Sequence, residues 1–233
     1  MSKNPFVSVV IPSLNEEKYI ESTLKSVKNQ DYKGKYEIIV ADGMSKDKTV
    51  KIAKKYADKI IAVKRKGVSA GRNEGAKVAK GDILFFLDAD TILLPNVITE
   101  LVKCLKKTDV MGVSIPFLLD DLKKNILMVS AMGVYSLLTK IKLQPVYTIC
   151  FACKKKSFLK IGGFDEKLHV AEDIEFGQRL KKLGKLDYID TTFVIASSRR
   201  LKKWNWAQQT KAWPLGYFSI KLFNKQPKYP AFR

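Results

Sequence analysis

Ile83-Leu84-Phe85-Phe86-Leu87-Asp88-Ala89-Asp90 is the stretch that decides the fold. Five apolar residues run without interruption and stop on two carboxylates one residue apart. An apolar run this short and sharply bounded reads as a strand buried on both faces, as in a largely parallel sheet. Asp88 and Asp90 then stand where the strand leaves the core, at the carboxyl edge where open α/β sheets bind ligands. Residues i and i+2 of an extended segment point the same way, so the two carboxylates are expected to converge. Such a pair repels itself unless a cation lies between, and hard divalent ions are often held by one or two carboxylates plus phosphate oxygens. The expectation is a metal–phosphate site. Read alone, Asp-x-Asp is equally a polar loop after a strand.

Working outward, the first half of the chain alternates. Strands are predicted at Phe6–Ile11, Tyr36–Ala41, Lys59–Val63 and Val110–Ile115. Helices are predicted over Asn15–Gln30 (Ile20, Leu24 and Val27 inward, Glu16 and Glu17 in the first turn), from an N-cap at Ser45 through Tyr56, over Val68–Ala79 and over Asn96–Leu105. Alternating strands and helices mean βαβ units with right-handed crossovers. The second half is less regular. Asp120–Leu143 has apolar residues at helical spacing and is apolar nearly all round, as a buried or interfacial helix is. A strand-like Val146–Ala152 follows, then Ser157–Ile161 and the turn Gly162-Gly163-Phe164-Asp165. Glu172–Leu183 reads as a helix opening with acids and stopping at Gly184. Leu186–Ile189 and Phe193–Ala196 read as late strands.

The chain of 233 residues is one large domain or a domain with an appendage. Phe6–Ile11 is too short for a signal peptide, and no stretch reaches the roughly 20 apolar residues of a spanning helix. Three cysteines make no disulfide framework and fit a reducing compartment. Cys150-x-x-Cys153 lies in an apolar, strand-like run and lacks further zinc ligands beyond the single His169, so a structural role is expected. The net charge of +20 fits nucleic acid, an anionic membrane or an acidic substrate. From Thr191 onward there is no Asp or Glu, while nine Lys and Arg residues mix with Trp204, Trp206, Trp213, Tyr217, Phe218 and Phe223. That mixture suits a headgroup interface, or single-stranded nucleic acid.

Acids recur at the ends of the predicted strands: Glu16 after the first, Asp42 after the second, Asp88 and Asp90 after the central one. Strand ends of a parallel sheet share one edge, so these residues gather although distant in sequence. Arg72 and Asn73, at the front of the third helix, are placed to add donors near a phosphate. The cleft suits a nucleotide diphosphate.

Val9-Val10-Ile11-Pro12-Ser13-Leu14-Asn15-Glu16, Ile39-Val40-Ala41-Asp42-Gly43-Met44-Ser45, Gly71-Arg72-Asn73-Glu74-Gly75-Ala76 and Phe86-Leu87-Asp88-Ala89-Asp90 occur in the order seen in family 2 glycosyltransferases, which the chain resembles. Gly162-Gly163-Phe164-Asp165-Glu166, Ala171-Glu172-Asp173 and, more loosely, Ser198-Arg199-Arg200 follow. The resemblance implies a GT-A fold, an α/β architecture with a mostly parallel central sheet flanked by helices. It also implies inverting, hexosyltransferase-like transfer from a nucleotide-sugar, UDP- or GDP-linked, with Mn²⁺ or Mg²⁺. Carried over, Pro12, Glu16 and Asp42 contact the nucleotide, with Asp42 nearest the base. Arg72 borders the base or diphosphate, Asp88 faces the ribose and metal, and Asp90 holds the metal. Asp173 is the catalytic base, and Arg199 or Arg200 neutralises the leaving diphosphate. In this reading residues 1–200 form the transferase domain, with a nucleotide-binding half to about 115 and an acceptor-side half beyond, and 201–233 form a basic-aromatic tail.

Two departures matter. Ala41 stands where the family often has a second acid before Gly, leaving base recognition to Asp42. The Gln-x-x-Arg-Trp motif of processive members is absent, which favours transfer of a single sugar. The expected acceptor is lipid-linked or polyprenyl-phosphate, at the cytoplasmic face of a membrane where the chain is peripheral. The alternative is a soluble glycan or protein acceptor. A phosphoacceptor receiver domain would not need the second half. A sugar nucleotidyltransferase would carry a Gly-rich loop where Pro12–Asn15 stands. A basic nucleic-acid-binding protein would leave the aspartates unexplained.

Overall fold

The computed structural model describes residues 4–121, 150–168 and 172–199. The predicted helix over 120–143 lies outside them except for Asp120 and Asp121, which are not helical. Also outside are the front of the strand-like 146–152 run, His169, Arg200 and the tail 201–233.

A seven-stranded sheet runs in the order β3 (Lys59–Ala62), β2 (Tyr36–Asp42), β1 (Val7–Ser13), β4 (Ile83–Leu87), β8 (Cys150–Lys154), β6 (Val110–Ser114), β9 (Lys185–Tyr188). Only β8 runs against its neighbours. β1 pairs in parallel with β2, Ser13 opposite Asp42, and with β4, Val10 opposite Phe86. These strands therefore end on one edge. β4 is buried throughout, as its uninterrupted apolar run predicts.

Side chains alternate across each strand and feed two layers. Val7, Val9, Ile11, Ile83, Phe85 and Leu87 pack toward α1 (Ile20–Lys28) and α4 (Val97–Leu105). Val10, Leu84 and Phe86 pack on the other face with Ala76 of α3 (Val68–Val78), Phe158 of α5 (Lys155–Lys160) and Phe176 of α6 (Glu172–Lys181). There Phe164 and Phe176 stack at 4.2 Å between centroids, and Phe86 meets Phe164 edge-on at 5.2 Å. The result is the expected α/β layering.

Several expectations are corrected. α1 begins at Ile20, not Asn15. Asn15 has φ 54, and the amides of Asn15, Glu16 and Glu17 donate to Ser45 Oγ, Thr49 Oγ1 and Asp47 Oδ2. The loop is thus stitched to its neighbour rather than wound into a helix, which frees Glu16 to face the sheet edge. Ser45 caps no helix; its amide and hydroxyl donate to Asp42, and α2 spans only Thr49–Ala53. Most of Ser157–Ile161 lies in helix α5.

A second sheet, of three short strands, was not foreseen as such. Its order is β5 (Thr91–Leu93), β10 (Val194–Ala196), β7 (Phe117–Leu119), with β10 antiparallel to β5 and parallel to β7. Only β10 was predicted. Cys150 and Cys153 are buried, free thiols in the main sheet, and burial pushes both well above a thiol's ordinary value. They are packing residues, as expected.

Candidate active site

The carboxyl edge of β1, β2 and β4 delivers Glu16, Asp42, Asp88 and Asp90 together. At Asp42, 4% exposed, Oδ1 accepts from Ser13 Oγ (3.1 Å) and Ser45 Oγ (2.6 Å), and Oδ2 accepts from the Ser45 amide (2.8 Å). Its carboxylate is oriented by the protein at the strand end. Ser13 and Ser45 are the orienting residues; both sit inside the quoted motifs, but serines there carry no signal of their partner. Pro12 lies one residue before, half-buried, against α3.

Asp88 and Asp90 do not extend the strand. Residues 88–91 turn, with the Thr91 amide donating to the Asp88 carbonyl at 3.2 Å, and Thr23 Oγ1 donates to the Ala89 carbonyl at 2.9 Å. The i, i+2 convergence expected of an extended segment is therefore replaced by divergence onto two different arginines.

Arg72 takes the first. Its Nη2 donates to Asp88 Oδ1 at 3.2 Å and its Nη1 to Glu172 Oε1 at 3.0 Å, while the guanidinium lies over the Phe164 ring at 5.2 Å. α3 reaches this position by close approach to β1. A Cβ on Gly71 would sit 2.9 Å from Pro12 Cβ, and one on Gly75 would sit 2.3 Å from Val10 Cγ1. Burial works against the Arg72 charge, but Asp88, Glu172 and Asp173 outweigh it and hold the guanidinium above its ordinary value. Burial, then Asp173, pushes the Glu172 carboxyl up against the pull of Arg72.

Asn73 is not a phosphate donor in this arrangement. Its Nδ2 donates to the Phe164 carbonyl and to Glu166 Oε1, both at 2.9 Å, and its Oδ1 accepts from the Phe164 amide. It pins the Gly162-Gly163 turn, where Gly163 has φ 73 and a Cβ would lie 2.7 Å from Asn73 Oδ1.

Arg199 takes the second aspartate. Nε lies 2.9 Å from Asp90 Oδ2, Nη2 donates to Glu16 Oε1 at 2.6 Å, and the guanidinium sits over Tyr19 at 4.5 Å. The small sheet makes this possible, because pairing Ala196 with Thr91 brings the residues after β10 beside Asp90. The Ser197 amide donates to the Asp90 carbonyl at 3.2 Å. Burial opposes the Arg199 charge, and Glu16 and Asp90 raise it above its ordinary value.

Asp173, second residue of α6, lies half-buried next to Glu172, and its Oδ1 accepts from the Ile174 amide at 2.8 Å. Sequence reasoning named Asp173 but missed Glu172 as a partner of Arg72. Its only signal was adjacency to Asp173.

Among the described residues no three Cys, His, Asp or Glu side chains form a ready metal cage. Glu16 Oε2, however, is buried and accepts no hydrogen bond, across Arg199 from Asp90. An oxygen-only set with one buried oxygen open fits a hard cation that draws its other ligands from phosphate.

The family described as Glycosyl transferase family 2 matches residues 8–157. An uncharacterized glycosyltransferase of Rickettsia typhi is 31% identical over 205 residues, 83% of this chain and 64% of that one. A dolichyl N-acetyl-α-D-glucosaminyl phosphate 3-β-D-2,3-diacetamido-2,3-dideoxy-β-D-glucuronosyltransferase of Methanococcus voltae is 43% identical over 93 residues, 36% of this chain and 29% of that one. The chain thus spans less than two thirds of the length of these relatives. The mannosyltransferase PcManGT from Pyrobaculum calidifontis, solved with GDP-Man and Mn²⁺, superposes with a TM-score of 0.78 at 20% identity, over 98% of this chain and 67% of that one. From the motif order, the sheet that gathers those motifs and the match over 8–157, the chain belongs to glycosyl transferase family 2 and has the GT-A fold.

Proposed function

We propose that this protein transfers a single sugar, with inversion, from a nucleotide-diphosphate sugar to an acceptor hydroxyl. The observation that carries this reading is the meeting of Glu16, Asp42, Asp88 and Asp90 at one sheet edge, with Asp173 joined to that edge through Arg72 and Glu172. Asp42, held by Ser13 and Ser45, and Pro12 face the nucleotide; Asp88 lies on the ribose side. Asp90, with Asp88 two residues earlier and Glu16 Oε2 open across Arg199, would hold the divalent cation together with the diphosphate oxygens. That cation, when bound, supplies neutralisation of the charge on the departing diphosphate.

The chain's own residues do the rest. Asp173 takes the proton of the acceptor hydroxyl as its oxygen attacks the anomeric carbon opposite the diphosphate. A new C–O bond forms, the old one breaks, and the electron pair leaves on the diphosphate. Arg199, beside Asp90 and Glu16, and Arg200 are the cationic groups for that charge.

We place the acceptor on a lipid. Support comes from the basic-aromatic composition of residues 201–233 and from the lipid-linked acceptor in the name of the Methanococcus voltae relative. Residues 1–200 act as the transferase domain and 201–233 as the membrane-facing tail. Attachment is peripheral in this reading; no helix among the described residues is long and apolar enough to cross a membrane.

The test is a panel of UDP- and GDP-sugars screened for Mn²⁺-dependent binding and hydrolysis. One or more should bind and turn over with Mn²⁺ and not after chelation; no binding by any of them would make the reading wrong. Flotation with anionic liposomes at low and high salt tests the membrane half, and failure to float at either salt would move the acceptor to a soluble glycan or protein.

A further inference from the structure

Arg72 is 5% exposed at its side chain, with both terminal nitrogens engaged by carboxylates and one face on Phe164. Its buried Nε has no hydrogen-bond partner among the described residues, so what keeps the guanidinium from a ligand is enclosure, at 5% side-chain exposure, rather than a full set of partners. Its two partners stand at mechanistically distinct places. Asp88 is the first residue past β4, on the donor side, and Glu172 is the first residue of α6, immediately before Asp173. Arg72 itself is fixed by the close seating of Gly71 and Gly75 on β1. The chain of contacts runs from the donor strand through two charge-assisted hydrogen bonds to the helix that carries the proposed base.

We propose that Arg72 and Glu172 are positioning residues, a buried strut that sets Asp173 relative to the donor-binding strand end, and that Arg72 does not contact the donor. This rests on the assignment of Asp173 as base. It departs from the role the family resemblance implies for Arg72, at the base or diphosphate.

The strut holds only if one planar cation spans both carboxylates. A lysine keeps the charge but not the fork. Loss of alignment by about 1 Å costs on the order of 100-fold in rate with ground-state binding kept. The experiment uses the full chain with Arg72→Lys and Glu172→Gln; the second leaves Arg72 paired with Asp88, so it keeps the question open to measurement if the first folds poorly. Amide exchange across the first turn of α6 should rise at least several-fold in both variants, a readout independent of any donor. With the UDP- or GDP-sugar that the wild type turns over, kcat should fall roughly 100-fold while the Kd for UDP or GDP with Mn²⁺ stays within about twofold. A weakened Kd with unchanged kcat would overturn the strut and return Arg72 to the donor. Unchanged α6 exchange, or a lowered Tm with wild-type kcat, would overturn it as well. If the wild type binds no nucleotide yet both variants loosen α6, the strut stands and the proposed function falls.

Discussion

Two arginines each span two carboxylates at the same sheet edge, and they differ in how deeply they are set. Arg72 joins Asp88 to Glu172 with 5% of its side chain exposed; Arg199 joins Glu16 to Asp90 with 26% exposed. Buried, hydrogen-bonded charge pairs are costly to break, because the surviving partner stays desolvated. A pair open on one side can trade one counter-ion for another. In the proposed reading, the difference separates a fixed connection beside the proposed base from an exchangeable one where the metal and diphosphate would bind.

The largest effect expected is at the proposed base. Asp173→Asn should lower kcat about 10²- to 10⁴-fold while leaving Mn²⁺-dependent nucleotide binding intact, as measured by turnover and calorimetry. Transfer at the wild-type rate would show that the base lies elsewhere and that the fixed bridge supports something other than catalysis.

Stability should separate the bridges next. Arg72→Met leaves Asp88 and Glu172 buried without their cation and should cost about 3–5 kcal/mol in urea unfolding. Arg199→Met removes a cation that is 26% exposed and so better screened by water, and should cost less, about 1–3 kcal/mol, although its partners Glu16 and Asp90 are as buried as those of Arg72. Equal losses would erase the distinction.

Binding tests the exchangeable side. Asp90→Asn should weaken Mn²⁺-dependent nucleotide binding roughly ten- to hundredfold, since a hydrogen bond or ion contact to a charged group is worth about 1.5–3 kcal/mol. Chelation of the metal should abolish most of the same binding in the wild type and little of what remains in the variant.

The smallest effect is a pH slope. Glu172 has its folded value raised above the ordinary 4.5, so it contributes stability that is fully present below 4.5 and is lost as pH rises through the folded value. Glu172→Gln should flatten that decline, which cannot exceed about 1.4 kcal/mol per pH unit for one proton. A Glu16→Gln variant, on the exchangeable bridge, should keep it.

Much of the fold was legible. The apolar run of β4, the inward face Ile20, Leu24 and Val27 of α1 and the alternation of elements through residue 115 follow from burial periods that any chain must obey. β5 and β7 were not legible, because three residues show no period, and such strands exist only once β10 pairs with them. The start of α1 was misplaced because the Asn15–Glu17 amides find partners on a distant loop, which local propensity does not contain.

The sequence by itself determined the order of the carboxylates, their places after strands and hence the family, since these depend on local pattern along the chain. Only the tertiary structure decided which cation each carboxylate meets. That choice depends on register in a three-stranded sheet and on two glycines that let a helix touch β1. Electrostatic partners are set by distances through space, and the divergence of Asp88 toward Arg72 and Asp90 toward Arg199 is decided by a single turn at residues 88–91.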